Sequence, residues 1–112
     1  MTEALNKDER LGQWRYQLRQ AKRQAIAEGG RREFRYVRQL VFECSDCTTE
    51  EQVGERLDAA LRAKHGEVGN IAMILTLIQI GILIWRLLRE MGVLGDRDRL
   101  KAVIAEEFGD DD

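Results

Sequence analysis

VGNIAMILTLIQIGILIW, residues 68–85, is a stretch of eighteen residues without a charge, in a chain that is 34% charged. As an α-helix rising 1.5 Å per residue, it would be roughly 27 Å long, close to the hydrocarbon thickness of about 30 Å. Its apolar side chains cover most of the helix circumference, whereas a surface helix of a small domain needs a polar face. The stretch therefore predicts a transmembrane helix over about 68–91. The alternative is a helix buried in the core of a soluble oligomer.

A stripe of small and polar residues runs along the same stretch. Its members are Gly69, Ala72, Thr76 and Gln79, spaced by three or four residues. Within lipid, small residues let two helix backbones approach closely, and Gln79 can hydrogen-bond across the contact. The stripe predicts association with a second copy or with another membrane subunit. The alternative is that a single membrane helix tolerates one Thr and one Gln without consequence.

The end of the stretch and the charges around it predict how such a helix would sit in a bilayer. Trp85 followed by Arg86 is typical of an anchor at the membrane–water interface. Thirteen basic residues precede residue 68 and five follow residue 85. The excess predicts a single-pass protein with a cytoplasmic N-terminus. The immediate flanks favour the opposite orientation, because residues 48–67 carry three basic residues and residues 86–105 carry five.

The N-terminal third of the chain is its basic part. Residues 1–43 carry ten basic and six acidic residues, a net charge of +4. Five residues of the first helix are predicted to dock it on a lipid surface or on a partner: Trp14, Arg15, Leu18, Arg19 and Lys22. The apolar members would enter the surface while the cations meet anionic headgroups. A solvated charged face on a helix packed against its neighbours is the alternative, and nucleic acid is a less favoured partner.

The rest of the chain predicts an all-α fold of about four to five helices. Residues 31–43 alternate as in a strand, but no second strand candidate could pair with them, so a helix is predicted. Thr48 followed by Glu51 forms a capping-box pattern, and Asp96 can cap a last helix before the acidic tail. The segments are a basic amphipathic helix (1–30), a helical region with CxxC and a capped helix (31–67), the apolar helix (68–91), and a short amphipathic helix with the tail (92–112).

Cys44 and Cys47 form the one CxxC motif of the chain. As half of a zinc site it needs two further ligands, and His65 is the single histidine, so a zinc site would have to be shared between two chains. A redox role lacks the surrounding alternation of strands and helices, and a haem role fails because Thr48 stands where histidine is required. Two packed thiols are the favoured interpretation. We find no catalytic or cofactor-binding motif.

These patterns predict a non-enzymatic, single-pass membrane protein without a cofactor. It would be a structural or adaptor subunit of a membrane complex or of a membrane-containing particle, in contact with lipid and self-associated or joined to another membrane subunit. The first alternative is a soluble α-helical assembly protein whose apolar helix forms the core of an oligomer. The second is a small holin-like pore-former.

Overall fold

The computed structural model describes residues 7–66 and 70–109. They form four α-helices, α1 (Lys7–Glu43), α2 (Glu50–His65), α3 (Ile71–Glu90) and α4 (Arg97–Phe108), with a short 3-10 turn at Cys44–Asp46. Within those ranges there is no strand, so the predicted all-α fold is confirmed. The ambiguous segment 31–43 is the second half of α1.

Helix α1 bends where the sequence predicts a helix end. Gly30 has φ 90° and ψ 172°, outside the helical region, and helical residues continue on both sides of it. Glycine adopts this positive φ without the clash that a Cβ would introduce. The first helical segment therefore ends at the Gly29-Gly30 pair, as the sequence predicts, and a second segment begins directly after it across a kink. Helix α1 thus consists of two helical segments that meet at this kink.

Side-chain caps define the starts of the other three helices. Asp96 accepts a hydrogen bond from the backbone N–H of Arg99 (3.2 Å), as the sequence predicts. At α2 the capping box lies one residue later than the predicted pair Thr48 and Glu51. Thr49 is the cap, and each of Thr49 and Gln52 accepts a hydrogen bond from the backbone N–H of the other. Asn70 caps α3 through the N–H of Met73, so the apolar helix begins at Ile71, later than the predicted start near residue 68.

Helix α3 is the centre of the bundle and packs against both α1 and α2. Its buried side consists of Ile74, Leu77, Ile80, Gly81, Ile84, Trp85, Leu87 and Leu88. Opposite them lie apolar side chains of α1 and α2, among them Leu18, Ala21, Ala25, Phe34, Val37, Val41, Val53, Leu57 and Leu61. Burying one such large apolar side chain contributes about 1.5–3 kcal/mol. The core is therefore built around one side of α3.

Helix α4 packs chiefly against α1. Leu100 and Phe108 are its buried apolar side chains, and the ring of Phe108 meets that of Phe34 edge to face, with centroids 5.3 Å apart. The edge-to-face arrangement is the one that aromatic quadrupoles favour. The C-terminal end of α4 is thereby placed beside α1 at Phe34.

Candidate functional site

The small and polar stripe of α3 lies on the side of the helix that the bundle leaves open. Ala72 and Gln79 are exposed and Thr76 is half-buried. Gly69, the fourth predicted member, lies outside the described residues. Beside the stripe, Ile71 and Leu75 are 52% and 48% exposed, unusually high for large aliphatic side chains in an apolar helix. The stripe and these two residues form one surface, which we call the α3 outer face.

Helix α3 is long enough and apolar enough to cross a membrane by length and composition. Of its most apolar eighteen-residue window, 44% is buried inside the bundle. The core helix of a soluble protein has the same length and composition. These two properties of α3 are therefore compatible with insertion and equally compatible with a soluble helical core.

Trp85 and Arg86, the predicted interfacial anchor, hold α3 to other parts of the chain. Trp85 is 1% exposed, and its Nε1–H donates to the carbonyl oxygen of Cys44 at the end of α1 (3.0 Å). Arg86 is exposed and makes two hydrogen bonds of 2.8 Å to the carboxylate of Glu50 on α2. The bond from Arg86 lowers the pKa of Glu50. In this fold both residues bind within the chain, and anchoring in a membrane stays a prediction.

The basic residues predicted to dock α1 contact the end of α4. Arg15 lies 2.9 Å from Glu106 and 3.1 Å from Glu107, and Arg19 lies 3.2 Å from Glu107. The Glu107 side chain is only 2% exposed, so its carboxylate is a buried charge neutralised by two guanidinium groups. Leu18 is fully buried beneath them and Trp14 is half-buried. Sequence reasoning identified these residues but not their contact with α4.

Further contacts extend this basic surface along α1. Lys22 donates to the carbonyl oxygen of Phe108 (2.7 Å), and Arg38 donates to that of Gly109. Both cations also lie 5.9 Å from the centre of the Phe34 ring. We define the α4 cradle as Arg15, Arg19, Lys22, Phe34 and Arg38. The signal that could have predicted it is the net charge of −3 on residues 86–112, opposite in sign to the N-terminal third.

The two cysteines are free thiols buried at the junction of α1 and α2. Burial, together with the neighbouring Cys47, raises the pKa of the Cys44 thiol to about 12. Metal ligation and thiol–disulfide exchange both need the thiolate, which such a pKa disfavours at neutral pH. A zinc ion shared between two chains would in addition require both side chains to reach the surface. The predicted intermolecular site at Cys44 and Cys47 stays a prediction.

Glu33 is a second buried carboxylate of the described residues, in contact with α2. Its oxygens lie 3.2 Å from Nζ of Lys64 and 3.0 Å from Nε2 of His65, the latter without the alignment of a hydrogen bond. Burial raises the pKa of Glu33, but the contacts with His65 and Lys64 outweigh it and hold the pKa below its ordinary value of 4.5. This group of three side chains joins α1 to the C-terminal end of α2.

We expect Glu33→Gln to lower the free energy of unfolding by about 1–3 kcal/mol at pH 7. Because the folded-state pKa is lowered, the carboxylate contributes stability above its unfolded value of 4.5, and that contribution is lost as the pH falls through the folded-state pKa. Urea unfolding at pH 7 and pH 3 measures both effects. Glu55→Gln, an exposed change on α2, is the control. A deficit in Glu33→Gln that is equally large at both pH values would contradict the expected linkage.

The described residues, 7–66 and 70–109, contain no group of three or more His, Cys, Asp or Glu side chains that could hold a metal ion. The contacts and exposure of the described residues provide two surfaces as candidates for function, the α3 outer face and the α4 cradle. Comparisons with protein-family models, with curated proteins and with solved structures find no match to this chain.

Proposed function

We propose that this chain is a non-enzymatic α-helical assembly protein that associates with a second copy of itself through the α3 outer face. One observation carries the proposal: Ile71 and Leu75 remain about half exposed on a helix whose other side forms the core. Contiguous exposed apolar side chains on a small domain mark interaction sites. Covering them with another helix would remove that surface from water and complete the packing around α3.

A second copy is the occupant that the chemistry of this face fits best. The helix carries no charged residue from Ile71 to Trp85, so two copies would meet without repulsion. The primary amide of Gln79 both donates and accepts hydrogen bonds, which lets it pair with its own counterpart across a two-fold axis. Ala72 and Thr76 are small enough to allow close approach of the two helices. An isologous pairing of α3 helices satisfies all three features.

The surroundings of α3 favour assembly in water over insertion of the folded bundle into lipid. Helices α1 and α2 pack along α3 and expose charged side chains, among them Arg31, Arg35, Glu55 and Arg62. A bilayer around the bundle would bury those charges in hydrocarbon at several kcal/mol each. For α3 to span a membrane it would have to separate from α1 and α2. The contacts of Val53, Leu57 and Leu61 would then be lost.

Leu75→Glu is expected to weaken self-association at least tenfold, because it places a charge in the centre of the proposed apolar contact. Sedimentation velocity between about 10 µM and 1 mM measures the dissociation constant, and circular dichroism verifies the fold. Tyr16→Glu is the matched control, since Tyr16 is 64% exposed on α1, away from the α3 outer face. Wild-type protein that stays monomeric over this range, or an unchanged constant for Leu75→Glu, would overturn the proposal.

A second candidate is the single-pass membrane subunit with a cytoplasmic N-terminus, for which α3 has sufficient length and apolar composition. In that state α3 leaves the bundle, its stripe contacts another membrane helix, and Trp85 with Arg86 lies at the interface. The first helix then docks on lipid or on a partner. Membrane fractionation with an alkaline wash separates the candidates: release into the soluble fraction supports the assembly protein, and retention in the pellet supports the membrane subunit.

A further inference from the structure

The α4 cradle has the features of a site that recognises the end of a helix. A helix leaves its last carbonyl groups without partners, and here Lys22 and Arg38 donate to the carbonyls of Phe108 and Gly109. Because both acceptors are backbone carbonyls, these two hydrogen bonds do not depend on which side chains the bound helix end carries. The carboxylate of Glu107 and the ring of Phe108 then select the sequence, through the paired arginines and through Phe34.

Helix α4 reaches this site through a short connection. The cradle residues Arg15, Arg19 and Lys22 lie 86 to 91 positions before their partners on α4 in the sequence. The connection between α3 and α4 is much shorter and consists of residues 91–96. Within that segment Gly92 has φ 77°, a conformation that glycine adopts readily, and Gly95 is exposed. Rotation about a few bonds of this connection would carry α4 away from its own cradle without changing the helix itself.

We propose that the cradle is also an intermolecular site, which binds α4 of a second copy so that two chains exchange their C-terminal helices. Every copy presents the same Glu106-Glu107-Phe108-Gly109 end and the same basic cradle, so each contact within one chain can be remade between two. The charges of the two parts are opposite in sign, which favours their encounter. This proposal does not depend on the α3 outer face, because it uses different residues.

The chain's own α4 competes with the α4 of a second copy for the cradle, and this competition determines the protein concentration at which exchange is observed. A short tether gives an attached segment an effective concentration in the millimolar range. The exchanged dimer therefore forms at comparably high protein concentration, or whenever contact within the chain is weakened. Contact within the chain can be weakened by reversing charges. A cradle and an α4 that repel each other within one chain can each attract the complementary part of a second, differently altered chain.

The test uses two full-length variants. Variant one carries Glu106→Arg and Glu107→Arg, and variant two carries Arg15→Glu and Arg19→Glu. Each variant opposes like charges within its own chain, but in a mixture both cradles meet an α4 of complementary charge. We expect native mass spectrometry of the mixture to show at least tenfold more heterodimer than either homodimer. A chain with all four changes is matched internally and is expected to form no more dimer than the wild-type protein at the same concentration.

Three results would overturn the exchange. The first is a mixture that contains only monomers while the four-change chain folds. The second is a heterodimer that disappears when Leu75→Glu is added to both variants, because the association would then run through the α3 outer face. Where the variants do not fold separately, they are co-expressed. Failure to recover a soluble heterodimer, with the four-change chain soluble, is the third.

Discussion

Replacing Trp85 by alanine is expected to lower the free energy of unfolding by about 3–5 kcal/mol, the usual cost of truncating a buried aromatic side chain. Trp85 is 1% exposed in the core between α3 and the end of α1. Its removal leaves a cavity and also takes one of two hydrogen-bond donors from the carbonyl of Cys44, which keeps its bond from the N–H of Cys47. Guanidinium unfolding followed by circular dichroism measures the loss, and the slope of the transition shows whether the variant still unfolds in one step.

Two companion variants separate the contributions of Trp85. Trp85→Phe keeps most of the apolar volume but not the N–H group, so the loss of one buried hydrogen bond is expected to cost about 0.5–1.5 kcal/mol. The Cys44 carbonyl still accepts the backbone N–H of Cys47 (3.0 Å), so it is not left unsatisfied. Trp14→Ala is the matched control, because Trp14 is half-buried on α1 and should cost less. A loss below about 1 kcal/mol for Trp85→Ala would contradict a core position for this ring and would favour its predicted role as an interfacial anchor.

Gly81→Leu is expected to destabilise the protein by about 3 kcal/mol, because Gly81 of α3 lies directly against side chains of both α1 and α2. A Cβ at this position would lie 2.6 Å from Cδ1 of Leu57 and 3.4 Å from Cγ1 of Val37. Leu57 and Val37 are fully buried, so neither can move aside without disturbing other core contacts. Overpacking of this kind typically costs 1–3 kcal/mol, and a leucine adds three further carbons. Thermal and denaturant unfolding measure the change.

Gly12→Leu is the matched control for this substitution. Gly12 also lies inside a helix, but a Cβ there would have no atom within 4 Å. Leucine has the higher helix propensity, so the control should be neutral or stabilising by up to about 1 kcal/mol. Equal effects at the two positions would show that α2 and α3 do not approach at Gly81. Such a result would weaken the assembly-protein proposal and strengthen the candidate in which α3 leaves the bundle.

The contacts of the basic residues show how far local sequence patterns reach. The spacing of Trp14, Leu18 and the cations correctly predicts an amphipathic helix, and the uneven charge of the chain is evident from composition. Neither property predicts that Arg15 and Arg19 form ion pairs with Glu107, about ninety positions later in the sequence. A cation on a helix is equally suited to lipid, to a partner or to its own chain. The choice depends on where α4 packs, and that is a long-range property.

The sequence by itself determined the elements of this protein: all-α structure, the helix end at the paired glycines, the cap at Asp96 and one helix far more apolar than the rest. These follow from local forces, namely propensity, periodicity and hydrogen bonding at helix ends. Only the tertiary structure decided which side of α3 is buried. Apolar side chains cover most of the α3 circumference, so periodicity cannot select a face. The close approach at Gly81 and the hydrogen bond of Trp85 to Cys44 select it, and they leave Ile71, Leu75 and the stripe exposed.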